Sequence, residues 1–267
     1  MKTIIYYFTG TGNSLAAART LAAALGDCEM VPIASLKDTT GTIIPEANRV
    51  GIVCPVYFSG LPSIVASFVK HLDLTSVRTV FAMVTHGGGG GDAALRQMEG
   101  ILRSQHGQNL DAGFTVAMPG NYILMYESPT GEKQAKILAD ADTQVREFAR
   151  ALQQGNTPVV QHSLVTRVLH TLIYPWFLSH VHDNDRKFSV TAACTSCSTC
   201  VSVCPVNNIE LVDKKPVWKH HCELCCGCIH LCPVQAIQAG RGTETRERYH
   251  NPSVSVADLK GLRERRP

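Results

Sequence analysis

Eight of the eleven cysteines fall into two runs of one pattern. Cys194, Cys197, Cys200 and Cys204 are followed by Pro205, and Cys222, Cys225, Cys228 and Cys232 are followed by Pro233. Each run reads C-x2-C-x2-C-x3-C-P, a spacing that holds a 4Fe-4S cube. Three thiolates on one tight loop can reach three irons, and the fourth must come from elsewhere in the chain. The runs end in matching tails, CPVNNI from Cys204 to Ile209 and CPVQAI from Cys232 to Ile237, which marks an internal duplication of one unit. Structural zinc also uses closely spaced cysteines, but as two separated pairs. Three cysteines at successive short spacings with a following proline, twice over, fit zinc or disulfides poorly. Cys226 lies inside the second run and is surplus to the ligand count.

A second chemical stretch lies at the start. Ile4–Phe8 is a continuous apolar run, as expected of a strand buried on both faces of a parallel sheet. It leads directly into Thr9, Gly10, Thr11, Gly12, Asn13 and Ser14, after which Leu15, Ala18, Ala22 and Leu25 recur at helical spacing. Strand, Gly/hydroxyl loop and helix form an anion site, because amides and hydroxyls converge at a helix N-terminus. A triphosphate loop needs Lys after its second Gly, and Asn13 stands there. A dinucleotide fingerprint wants Gly or Ala where Leu15 stands; Glu29 could serve as its ribose acid, so that reading stays open beside a mononucleotide loop. Two further loops carry unusual residues: Pro55, Val56, Tyr57, Phe58, Ser59 and Gly60, then His86, Gly87, Gly88, Gly89, Gly90, Gly91 and Asp92. The glycines let backbone amides approach a flat ligand closely. Residues 119–122, Pro-Gly-Asn-Tyr, border the same region.

These loops must be positioned by alternating strands and helices. Strands are expected near 29–33, 50–54, 78–85 and 113–118, and helices over Leu61–Leu72, Asp92–Arg103 and Glu132–Leu152. That order predicts an α/β doubly wound parallel sheet, with ligands outside the carboxyl ends of the strands. From Gly155 to Asp185, Leu164, Val165, Val168, Leu169, Leu172, Ile173, Trp176 and Phe177 predict an amphipathic linker helix whose stripe docks the second domain on the first, or faces a second copy in a homodimer. The tail 241–267 reads as mostly solvated, or partly wrapped back on the domains. The expected boundaries are 1–153, a linker 154–187, a cysteine domain 188–240, and that tail. With 45% hydrophobic and 18% charged residues the chain suits roughly two globular domains. Cysteine usage points to a reducing cytoplasmic setting. Ile4–Phe8 is too short for a secretory h-region, and no uncharged stretch approaches a membrane span.

The loop TGTGNS at Thr9–Ser14 resembles the flavodoxin phosphate loop, with Thr9, Thr11, Gly12 and Ser14 matching and Gly10 and Asn13 in its open places. Together with PVYFSGLP, the Gly-rich loop, MPGNY, both cysteine runs and the late RYHNP at Arg248–Pro252, it makes residues 1–255 similar to the flavodoxin–ferredoxin fusion proteins (flavoferredoxins) of anaerobes. The resemblance implies a non-covalent FMN in a flavodoxin-like domain and two 4Fe-4S clusters in a small α+β ferredoxin domain. It implies crossed ligation: Cys194, Cys197, Cys200 and Cys232 hold one cluster, and Cys222, Cys225, Cys228 and Cys204 the other. FMN contacts are implied at Thr9 to Ser14, at Pro55 to Gly60 (Tyr57 or Phe58 stacking on the ring), and at His86, Gly87, Gly88, Gly89, Gly90 and Asp92. Flavodoxins often carry an aromatic ring in the third loop, where this chain has His86. Two clusters at about −2 each and an FMN phosphate near −2 would take the formal charge from +3 to about −3, so the positive count is poor evidence for nucleic-acid binding. The implied function is electron transfer with redox partner proteins. Its rivals are an FMN-dependent reductase of a small molecule fed by its own ferredoxin domain, and a redox sensor. Anaerobically purified protein is expected to contain about eight iron and eight sulfide per chain, unchanged by Cys226→Ser but reduced by Cys204→Ser; metal analysis and cluster spectra check this.

Overall fold

The computed structural model describes residues 1–156 and 163–263; the rest of the expected linker (157–162) and of the expected tail (264–267) lies outside the described residues. Among those described, β1 (Thr3–Tyr7), β2 (Cys28–Pro32), β3 (Arg49–Pro55), β4 (Thr79–His86) and β5 (Ala112–Ala117) form a parallel sheet in the order β2-β1-β3-β4-β5. The uniformly apolar strands are central because helices cover both faces: every residue of β1 is buried, as are Val50 to Cys54 of β3. On one face pack α1 (Asn13–Leu25) and α4 (Gly131–Gln153), around Leu21, Phe81, Val145 and Phe148. On the other pack α2 (Ser63–Lys70) and α3 (Gly91–His106), around Ile52, Val65, Phe68 and Leu95. The predicted strands match within a residue or two; α2 is shorter than its apolar pattern because Pro62 precedes its first turn.

The duplicated region folds as its repeat demands. The elements are β6 (Phe188–Val190), α6 (Thr199–Val203), β7 (Ile209–Val212), β8 (Lys215–Trp218), α7 (Gly227–His230) and β9 (Ile237–Ala239). Corresponding residues lie 28 apart, and left-handed backbone recurs at that offset: Ser196 and Leu224, Ser198 and Cys226, Asn207 and Gln235. The strands do not pair within each copy. β6 of the first copy pairs antiparallel with β9 of the second, and β7 with β8. The copies are therefore interlocked, which carries the last cysteine of each run toward the other run.

One expectation is corrected. The linker helix α5 (Leu164–His180) docks through Tyr174 and Phe177 with Val181 just beyond it, while Trp176 is 57% exposed. Successive helical residues stand about 100° apart, so Trp176 and Phe177 cannot share the narrow docked stripe. The tail partly wraps back, as one of its two readings expects: Tyr249, Asn251, Val254, Leu259 and Leu262 are buried, and α8 (Val256–Lys260), capped by Ser255, is tied to α1 by an Arg19–Asp258 ion pair. The tail reaches the start of α1, where buried Asn13 accepts hydrogen bonds through Oδ1 from Tyr249 Oη (2.6 Å) and Asn251 Nδ2 (3.1 Å). Tyr249→Phe removes the shorter bond and is expected to cost about 1–3 kcal/mol, seen as a lower urea midpoint with unchanged slope.

Candidate functional site

A cavity opens at the carboxyl ends of β1, β3 and β4, where an open α/β sheet offers its crevice. Three expected loops meet there through Thr9, Gly10, Thr11, Asn13 and Ser14, then Pro55, Val56, Tyr57 and Phe58, then His86 and Gly87. Gly12, Ser59, Gly60, Gly88, Gly89, Gly90 and Asp92 do not line it. Asp92 instead stands at the start of α5, where its carboxylate accepts the Ser163 N–H (2.9 Å) and the Thr166 hydroxyl. Gly90, with φ +79, packs against Ser59.

At the loop end, Gly12 sits in left-handed backbone and no side chain caps α1. The loop is shaped by its own hydroxyls: Thr9 Oγ1 accepts the Gly12 N–H at 3.0 Å, Ser14 Oγ bonds Thr85 Oγ1 at 2.8 Å, and Asn121 Nδ2 donates to Thr11 Oγ1. Among the described residues no Lys or Arg lines the cavity. An anion placed here would be held by amides, hydroxyls and the positive end of α1. The remaining walls are flat and largely apolar. Phe58 stacks on Phe177 at 4.7 Å between ring centroids and meets Tyr122 edge-on at 5.5 Å. His86 Nδ1 accepts the Gly89 N–H at 3.0 Å, and burial lowers its pKa, so the neutral ring keeps its proton on Nε2.

Sequence reasoning missed part of this wall. Leu224, Cys225 and Cys226, from the second cysteine run, line the same cavity, together with Met125, Tyr126 and Phe177. A side chain added at Gly10 would place Cβ 2.5 Å from the Cys225 carbonyl oxygen. The phosphate-type loop and the thiol loop thus touch backbone to backbone, and only glycine permits it. The available signal was Gly10 itself, an unconstrained place in the flavodoxin pattern that turns out to be sterically fixed by the second unit.

The cysteines fall into two groups. Cys194, Cys197, Cys200 and Cys232 surround a small pocket closed by Leu211, Pro216 and Ile237. Burial pushes the Cys200 thiol up to about 11, with Cys232, Cys197 and Cys194 close enough to add repulsion. Burial pushes Cys228 well up, and its neighbours are Cys222, Cys225 and Cys204, with Cys226 beside them. Backbone amides already serve the sulfurs: Asn208 N–H to Cys204, Ala236 N–H to Cys232 and Leu224 N–H to Cys222, each at 3.2 Å. Among the described residues no three such side chains converge on a single metal ion. The inner group is tied to the first unit by Glu223, which accepts from Ser63 Oγ (2.5 Å) and Ile64 N (3.2 Å), and by His230, whose Nε2 donates to Asn121 O at 2.8 Å while Nδ1 accepts from Tyr249 N.

Residues 4–112 match the family of the flavodoxin domain. No curated protein matches the chain. Similar solved structures include a Fusobacterium nucleatum flavodoxin bound to flavin mononucleotide (14% identity, 58% of this chain, 98% of that one, TM-score 0.37). Another is an FMN-dependent NADH-azoreductase from Bacillus anthracis (13% identity, 57% of this chain, 99% of that one, TM-score 0.40). Likenesses at this identity concern the fold alone. The family match over residues 4–112 and the five-stranded parallel sheet, which runs on to Ala117, give the N-terminal part of this chain a flavodoxin-like α/β fold.

Proposed function

We propose that this chain is an electron-transfer protein that joins an FMN in the sheet-end cavity to two 4Fe-4S clusters on the two cysteine groups, and exchanges electrons with outside redox proteins. The observation that carries the reading is the shared wall. Gly10 of the anion loop and Cys225 of the inner cysteine group are in van der Waals contact, and Cys225 and Cys226 line the cavity itself. When bound, the flavin supplies one- or two-electron chemistry and each cluster one-electron chemistry.

The chain's own residues bind and insulate. The loop from Thr9 to Ser14 and the N-terminus of α1 hold the phosphate; Tyr57, Phe58 and Tyr122 exclude water from the ring. Amides on the sulfurs of Cys204, Cys222 and Cys232 stabilise the thiolates, a lever on cluster potential. The crossed assignment keeps Cys222, Cys225, Cys228 and Cys204 as the inner cluster. Cys194, Cys197, Cys200 and Cys232 form the outer one, where Cys197 is exposed and offers an entry for partners. A second reading, a reductase of a small molecule at the flavin, draws on exposed Met125 and Tyr126 at the cavity rim.

Rapid anaerobic reduction of the clusters, followed at flavin wavelengths, tests the main reading. The flavin is expected to respond at a rate independent of protein concentration; a rate proportional to concentration would show the two units to be merely tethered. Gly10→Ala is expected to force the loops apart, slow this step, and cost about 1–3 kcal/mol of stability, with iron content unchanged.

A further inference from the structure

Half of the sixteen large apolar side chains exposed among the described residues lie on one helix, α5. Leu164, Val165, Val168, Leu172 and Trp176 are each 56–77% exposed, and three more flank them. At about 100° per residue these positions spread over roughly half the helix circumference, with the docked residues Tyr174 and Phe177 on the opposite side. An exposed face of this size on a protein surface marks an interaction site.

The breadth and the charge of the face identify its occupant. A paired helix buries a narrow stripe at heptad positions, and Pro175 interrupts such a seam. A second copy would leave much of this half-cylinder in water, whereas the headgroup–acyl boundary of a bilayer can receive all of it. α5 itself carries no Asp or Glu, while Arg167 is present and exposed, so the helix does not repel anionic headgroups. Trp176 sits toward one end, a residue suited to the membrane interface. No described helix is long and apolar enough to cross a membrane, so α5 would lie flat. We propose that the outer face of α5 is a lipid-binding surface that attaches the protein peripherally to an anionic bilayer. Its inner face is tied to the segment after β3, through His170 Nδ1 to Ser59 O (2.9 Å) and Tyr174 Oη to Leu61 O (2.6 Å), which would set the flavodoxin-like domain close above the membrane.

Flotation of the intact protein with phosphatidylglycerol–phosphatidylethanolamine vesicles tests this. The protein is expected to float with them, to bind phosphatidylcholine vesicles less, and to show a blue shift of Trp176 emission on binding; the other tryptophan, Trp218, is already buried. Val168→Glu with Leu172→Glu, both on the exposed face, is expected to lower vesicle partition at least tenfold without changing the circular dichroism. The proposal is overturned if wild-type protein stays with the unbound fraction, or if the double variant floats equally well. It is also overturned if Trp176 emission is already blue without lipid and sedimentation gives a dimer that the double variant splits, because the face would then be covered by a second copy.

Discussion

The approach of Gly10 to Cys225 is the constraint around which the two units are arranged. Two loops of fixed backbone shape, the Thr9–Ser14 turn into α1 and the second cysteine loop, lie against each other with no side chain between them. Such a contact tolerates little adjustment, since protein interiors are packed as densely as organic crystals. The surrounding interactions hold that approach: Glu223 caps the start of α2, His230 bonds the loop after β5, and Leu224 packs with Phe177.

Buried amides and imidazole extend the junction. Asn13 at the start of α1 accepts from the tail and donates through Nδ2 to Pro119 O (3.0 Å), while Asn121 reaches from Thr11 to His230. Asn13, His230 and Tyr249 are buried and Asn121 is half-buried, each with a partner, so losing one member strands another at a cost beyond a single bond. That makes the tail part of the site's support, although none of its described residues lines the cavity.

The interlocked repeat explains the grouping of the cysteines. Because β6 pairs with β9 and β7 with β8, neither copy completes its own sheet, and the chain must cross between them. Cys204 and Cys232 follow short helices that end near the opposite copy, so the distribution of thiols is a consequence of strand pairing. α5 behaves differently. Its docked side is a narrow line of Tyr174 and Phe177 with His170, and its apolar remainder has no described partner.

The sequence by itself determined the parallel sheet, the helices between its strands, the glycine and hydroxyl turn into α1, and the duplication. These are local or periodic signals: an unbroken apolar run means a strand covered on both faces, and a repeated spacing means a repeated unit. It also brought the three loops together, because an open α/β sheet has one crevice. What only the tertiary structure decided was orientation and contact across the units. Asp92 serves α5 and not the cavity, Phe177 and not Trp176 turns inward, the tail wraps back to Asn13, and Gly10 meets Cys225. Residues far apart in the chain made these choices. A period of 3.6 places apolar residues on one side of a helix without saying which part of a wide stripe the neighbouring surface has room to bury.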